Sequence, residues 1–378
     1  MTDLSRRTLL AGAAAALPTA ALAQRATPAT VVSNPPRQWG RGAPIAQYPD
    51  PDVITLDPSF GGVAEGHAVI KRIGTGYQWA EGPAWCGEGQ YVVFSDVMGD
   101  VQYRYVWDSG MAPIPFRRPS LNSNGNAFDF QGRQISGQDF ARRVVRWEHD
   151  GSMTVIADSF EGKPLNSPND FACHPDGSIW FTDPLYGGQM SEGHVDQGNG
   201  PFNAGGLLNP MIGNPGSGII GSLHQVLPTQ IYRWDPSPAP GGRLEVVATG
   251  QVPNGLAFSP DWKKLYFVWG ANLAVADVVG AKLQNIRTFS DGMIDGVKCG
   301  FDGHRVDVQG NVWSGSTAPL GYCGVTIWNP AGKAIGRIRL PETCANLTFC
   351  GPKRDWLFMT ASQSVYLIRT NTQGAGPF

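Results

Sequence analysis

A short unit that recurs about every 45 residues constrains this chain more than any other feature. Its cleanest copy reads Pro253-Asn254-Gly255-Leu256-Ala257-Phe258-Ser259-Pro260-Asp261, then Lys264-Leu265-Tyr266-Phe267-Val268. A small polar residue and a glycine open an apolar strand, and a Pro-Asp turn ends it. A second strand of aromatic and branched residues then returns, which is a β-hairpin signature. The polar head recurs as Glu81, Asn124, Asn169, Asn254, Asp302 and Asn346. A turn follows each head after about seven residues, the length of one strand and its turn. These turns are Glu88-Gly89, Gln131-Gly132, Asp176-Gly177, Asp261-Trp262, Gln309-Gly310 and Lys353-Arg354. One gap, from Asn169 to Asn254, is nearly twice the repeat. That period belongs to β-propeller blades, so six copies predict an all-β, six-bladed propeller. The equivalent position of each blade faces the central axis. The six heads, two carboxylates and four amides, are therefore expected in one ring.

The N-terminus carries an address rather than a blade. Ser5-Arg6-Arg7-Thr8-Leu9-Leu10 leads into an alanine-rich run ending at Ala21-Leu22-Ala23. Residues 1–23 read as a twin-arginine signal peptide, with the export machinery as partner and the periplasm as destination. The apolar run is short for a membrane span, so no stable insertion is expected after cleavage. Residues 24–58, rich in Pro, Ala and Arg, read as an irregular tail over the propeller surface. The propeller is expected over 59–371, with an aperiodic insertion at 188–227 that carries His194, Asp196 and His224. An insertion of this length suits a lid. A net charge of −2 gives no reason to expect nucleic acid as a partner. The six cysteines form no C-x-x-C pair, which disfavours a zinc ribbon. Disulfide pairing is permitted in an exported protein, but spacing alone does not assign it.

Blade by blade, the heads differ in context. Glu81 lies between Trp79 and Trp85, where a carboxylate is costly to bury without a cation or donor. Asn124 reads either as pocket floor or as a turn-forming Asn-Gly. Asn169 offers an amide oxygen to a cation or a donor to a substrate, whereas its neighbours Asp170 and Asp183 read as partners of loop backbone. Asp302 competes with the upstream Asp291-Gly292-Met293-Ile294-Asp295 for its place in the repeat, and the turn spacing favours Asp302. Asp307 reads as structural.

Glu81, Asn169, Asn254 and Asp302 together offer only oxygen. Such a set suits Ca²⁺ first, then Mg²⁺ or Mn²⁺, with Zn²⁺ and Fe²⁺ as alternatives. A divalent ion there could polarise a carbonyl, and Asp302 could take a proton as general base. No G-x-S-x-G elbow and no dinucleotide loop are present.

At these residues the chain resembles the gluconolactonase / senescence-marker-protein / luciferin-regenerating-enzyme family, its bacterial gluconolactonase branch above all. The matching stretches are Glu81-Gly82-Pro83-Ala84-Trp85, Leu165-Asn166-Ser167-Pro168-Asn169-Asp170, Phe181-Thr182-Asp183-Pro184-Leu185-Tyr186-Gly187, the Pro253–Asp261 unit, and Asp302-Gly303-His304-Arg305-Val306-Asp307. The resemblance implies a divalent cation held in the central channel by Glu81, Asn254 and Asp302. Asn169 would contact metal or substrate, Asp302 would be the general base, and Asn124 and Tyr186 join Asn169 as substrate contacts. It also implies hydrolysis of sugar lactones such as glucono-1,5-lactone to the aldonic acid. Ser167 stands where the animal branch carries an arginine that holds sugar hydroxyls, so sugar recognition here must differ. Two other readings stay open. One is a hydrolase of organophosphates or aryl esters, as in the related diisopropyl fluorophosphatase; the other is a non-catalytic propeller that binds a metal or partner.

Overall fold

The computed structural model describes residues 27–40, 42–45, 47–184, 186, 225–237 and 241–376. Residues 1–23, read above as a signal peptide, and the insertion up to residue 224, with His194, Asp196 and His224, lie outside them. Six sheets, each entered at its inner strand, form a six-bladed β-propeller. The inner strands are Ala80–Cys86, Ser123–Phe128, Phe171–Cys173, Pro253–Phe258, Gly300–Val306 and Asn346–Cys350. Each pairs antiparallel with the strand that follows it. Asp302 lies on the fifth inner strand, while Met293–Ile294 and Val297–Lys298 form a separate small hairpin. The competition between the two aspartate clusters is thereby resolved for Asp302.

The recurring turn has one chemistry. A residue in left-handed conformation closes it in every blade: Gln90, Gly132, Gly177, Trp262, Gly310 and Arg354. From blade two onward that residue donates its N–H to the carbonyl three positions earlier. Aspartates add caps: Asp129 accepts the Gln131 and Arg133 amides, and Asp307 accepts those of Gln309 and Asn311. Asp307 also holds Asn311 Nδ2 at 2.8 Å and Trp313 Nε1 at 3.0 Å. Such side-chain-to-backbone bonds stabilise a turn where strand pairing ends.

The N-terminal segment closes the ring. Lys71–Thr75 forms the outer strand of blade six, against Ser364–Arg369. Within the stretch expected to be irregular, Val53–Thr55 adds a fifth strand to blade five. The wedge between blades five and six is apolar, built from Phe60, Trp313, Ile327, Leu347 and Met359. The wedge between blades one and two joins a small apolar cluster of Ala84, Val93 and Phe128 to a polar network. There Gln102 Nε2 donates to Ser123, Asn126 and Ser136, and Arg117 bridges Gln102 and Gln134. All six cysteines are buried free thiols.

Candidate active site

Four of the six head positions are built by a local break in the strand. Register shifts follow the heads in four inner strands, between Glu81 and Ala84, Ser123 and Asn126, Pro253 and Leu256, and Phe301 and His304. A bulge re-aims a side chain and lets a backbone approach closely. Those four blades carry glycine after the head: Gly82, Gly125, Gly255 and Gly303. A methyl on Gly82 would collide with Asn124, one on Gly125 with Asn169, one on Gly255 with Asp302 and one on Gly303 with Asn346. Each glycine thus lets its strand lie against the head of the next blade. Blades three and six have Asp170 and Leu347 instead, and their pairing runs without a shift.

Side chains then meet across blades. Asn169 Nδ2 donates to Asn254 Oδ1 at 3.0 Å, and that oxygen keeps a second lone pair for a ligand. Burial, then the Glu81 and Asp302 charges, push the Cys344 thiol well above its usual range. Glu81 is 3% exposed and accepts the Gly82 amide. Asn124 is buried and donates to Asp139 Oδ2 at 3.3 Å, a partner on its own blade. Its carbonyl accepts Ser95 Oγ at 2.8 Å and Asn126 Nδ2 at 3.2 Å. Tyr186 is half-buried at the edge of the described residues.

The supporting shell shows why blade three places Asn169. Asp183 is fully buried and accepts the Asn166 and Ser167 amides, both at 2.8 Å. Burial nonetheless pushes its carboxyl up to about 7. The Asn169 amide N–H donates to the Thr182 carbonyl at 2.8 Å. On blade five, burial lowers His304 to about 4, so its ring is neutral at ordinary pH and sits 3.1 Å from the Tyr266 carbonyl.

Sequence reasoning missed two supporting residues. Asn126 ties the first two heads, donating to the Gly82 and Asn124 carbonyls. It stands two positions after Asn124, and that spacing was the available signal. Arg305 stands three after Asp302 and has no such signal, because it acts across the channel.

The donor set fits a hard cation: two carboxylates and neighbouring amide oxygens. Among the described residues no three His, Cys, Asp or Glu side chains gather to hold an ion, so a cation here needs the asparagine oxygens.

Residues 79–363 match the model of the SMP-30/Gluconolactonase/LRE-like region. A gluconolactonase of Zymomonas mobilis is 27% identical over 399 residues, covering 98% of this chain and 99% of that protein. The structure of a gluconolactonase from Xanthomonas campestris superposes with a TM-score of 0.70 at 26% identity, over 88% of this chain and 99% of that one. Regucalcin from Agrobacterium tumefaciens, a calcium-binding protein, shares the fold with a TM-score of 0.58 at 17% identity, over 80% of this chain and 93% of its own. The chain belongs to the SMP-30/gluconolactonase/LRE-like family.

Proposed function

We propose that this protein is a lactone hydrolase that opens sugar lactones of the gluconolactone class to their aldonic acids at the ring of blade heads. The observation that carries the reading is the meeting of heads from separate blades. Asn169 bonds Asn254 across a blade boundary, and glycines after four heads let each strand lie against the head of the next blade. Family membership and the gluconolactonase relatives support the substrate class.

Glu81, Asn254 and Asp302, with Asn169 beside them, would hold one divalent cation, calcium by the hardness of the donors. When bound, that cation would polarise a carbonyl and neutralise developing oxyanion charge. The chain's own residues do the rest. Asp302 takes a proton from the attacking water as the new C–O bond forms at the lactone carbonyl. The ring C–O bond then breaks, and the proton passes to the departing alkoxide to give the hydroxy acid. Asn169, Asn124 and Tyr186 orient the substrate hydroxyls. Folding with six reduced thiols is compatible with twin-arginine export of a finished protein to the periplasm.

The test is lactone opening by purified protein with and without chelator. Turnover of glucono-1,5-lactone that vanishes with chelator and returns with one cation supports the reading. Turnover confined to phosphoesters or aryl esters, or none by folded, cation-loaded protein, overturns it.

A further inference from the structure

We infer that Arg305 is a positioning residue, a tie across the channel that holds the strands carrying Glu81, Asn169 and Asp302 in mutual register; the inference rests on the function proposed above. Arg305 follows Asp302 by three residues on the fifth inner strand. Its Nη1 donates to its neighbour's carbonyl, His304 O, at 2.8 Å and reaches Asp170 Oδ2 on blade three at 3.4 Å. Its Nη2 lies 3.5 Å from the Pro83 carbonyl on blade one. Pro83 is two residues past Glu81, and Asp170 follows Asn169 directly. One guanidinium therefore spans three alternate blades just below the heads.

Asp170 explains why a cation is needed at this depth. It replaces the glycine found after four other heads and is fully buried. Its Oδ1 accepts the Phe171 amide at 3.0 Å and its main-chain N–H donates to Thr182 Oγ1 at 3.1 Å. A buried carboxylate left without its counter-ion is strongly destabilising, whereas removing both partners together costs much less. A rigid, forked donor also reaches two carbonyls and a carboxylate at once, which a lysine ammonium on a flexible stem does not. The pair sits beneath the site, where a shift of one strand moves a head directly.

The test compares Arg305→Met, Arg305→Lys, Asp170→Asn and the double variant Arg305→Met/Asp170→Asn, by glucono-1,5-lactone kinetics and thermal unfolding. Loss of the tie should lower kcat per folded molecule of Arg305→Met by about tenfold or more, as misplacement of reacting groups does, with KM held within about twofold. Lysine should recover part of kcat, and Asp170→Asn should recover most of the Tm that Arg305→Met loses while kcat stays low, because the double variant still lacks the tie. A rise in KM at unchanged kcat would make Arg305 a substrate contact and overturn the inference. So would a wild-type kcat in Arg305→Met, or strictly additive Tm losses in the double variant. If wild-type protein opens no lactone, the proposed function fails, and the Tm cycle alone still judges the tie between Arg305 and Asp170.

Discussion

The two ends of the central channel are made by the same six strands and carry different chemistry. At one end stand the heads, amides and carboxylates pressed together by glycines that admit the neighbouring blade. At the other, a cavity of about 80 Å³ has a mixed lining, Phe128, Phe171, Phe258 and Trp262 beside Asn126, Ser259, Arg305 and Thr348. The C-terminal segment fastens that end, with Ala375 N–H to Val306 O at 2.8 Å and Val308 N–H to Gln373 O at 2.9 Å. The Arg305–Asp170 pair lies between the two ends. Moving four residues along the inner strands thus passes from oxygen donors to Trp85, Phe128, Cys173, Phe258, Val306 and Cys350. The difference teaches that the fold does not demand polar residues around its axis. Apolar side chains serve around much of the far end, so the buried carboxylate of Glu81 at the near end calls for a functional reason.

Substitutions at the two ends should separate accordingly. The largest effect on turnover is expected from Asp302→Asn, which keeps an oxygen but removes the proton acceptor. It should lose at least about 100-fold in kcat while far-ultraviolet circular dichroism stays unchanged. Wild-type turnover in this variant would show that Asp302 is not the base. Glu81→Gln comes next. It should weaken cation affinity by about tenfold or more, read by calorimetric titration, and unchanged affinity would remove Glu81 from the ligand set.

At the far end, Phe258→Ala should cost about 3–5 kcal/mol of stability as a core truncation yet leave kcat of the folded fraction within about twofold. A large fall in kcat there would erase the contrast between the ends. The smallest effect concerns Asp183, at the near end. Its carboxyl is raised to about 7 by burial, above its ordinary value of 3.8. The folded protein thus binds more protons than the unfolded chain between those values. The associated stability is fully present below pH 3.8 and is lost as pH rises through about 7. The Tm advantage of wild type over Asp183→Asn should therefore shrink from pH 4 toward pH 7, and an advantage that grows would reverse the sign.

The heads and turns were legible in the sequence because both are local. A polar residue, a glycine and a left-handed turn residue lie within a dozen positions, and the repeat multiplies the signal. Asp170 and Asp183 were legible as backbone partners, and Asp307 as structural, for the same reason. The ring's completion was legible only as a choice, between blade six finishing at residues 365–368 and the N-terminal segment closing it. Lys71–Thr75 pairs with Ser364–Arg369, and nothing in five residues announces a partner nearly three hundred positions away. Val53–Thr55 escaped notice likewise, being short and half-exposed. Arg305 was hidden because its partners come from three blades, and Asn126 because a bulge beside it breaks simple alternation. Cysteine pairing was open from spacing, and burial of six separate thiols in the blades answers it with none.

The central claim is that acid and amide groups from different blades grip one ion. Crystals soaked in Mn²⁺ and measured for anomalous scattering test it most directly. One strong peak within coordination distance of Glu81, Asn254 and Asp302 is the predicted result. A peak elsewhere on the molecule, or none in the channel of protein that opens lactones, would contradict it.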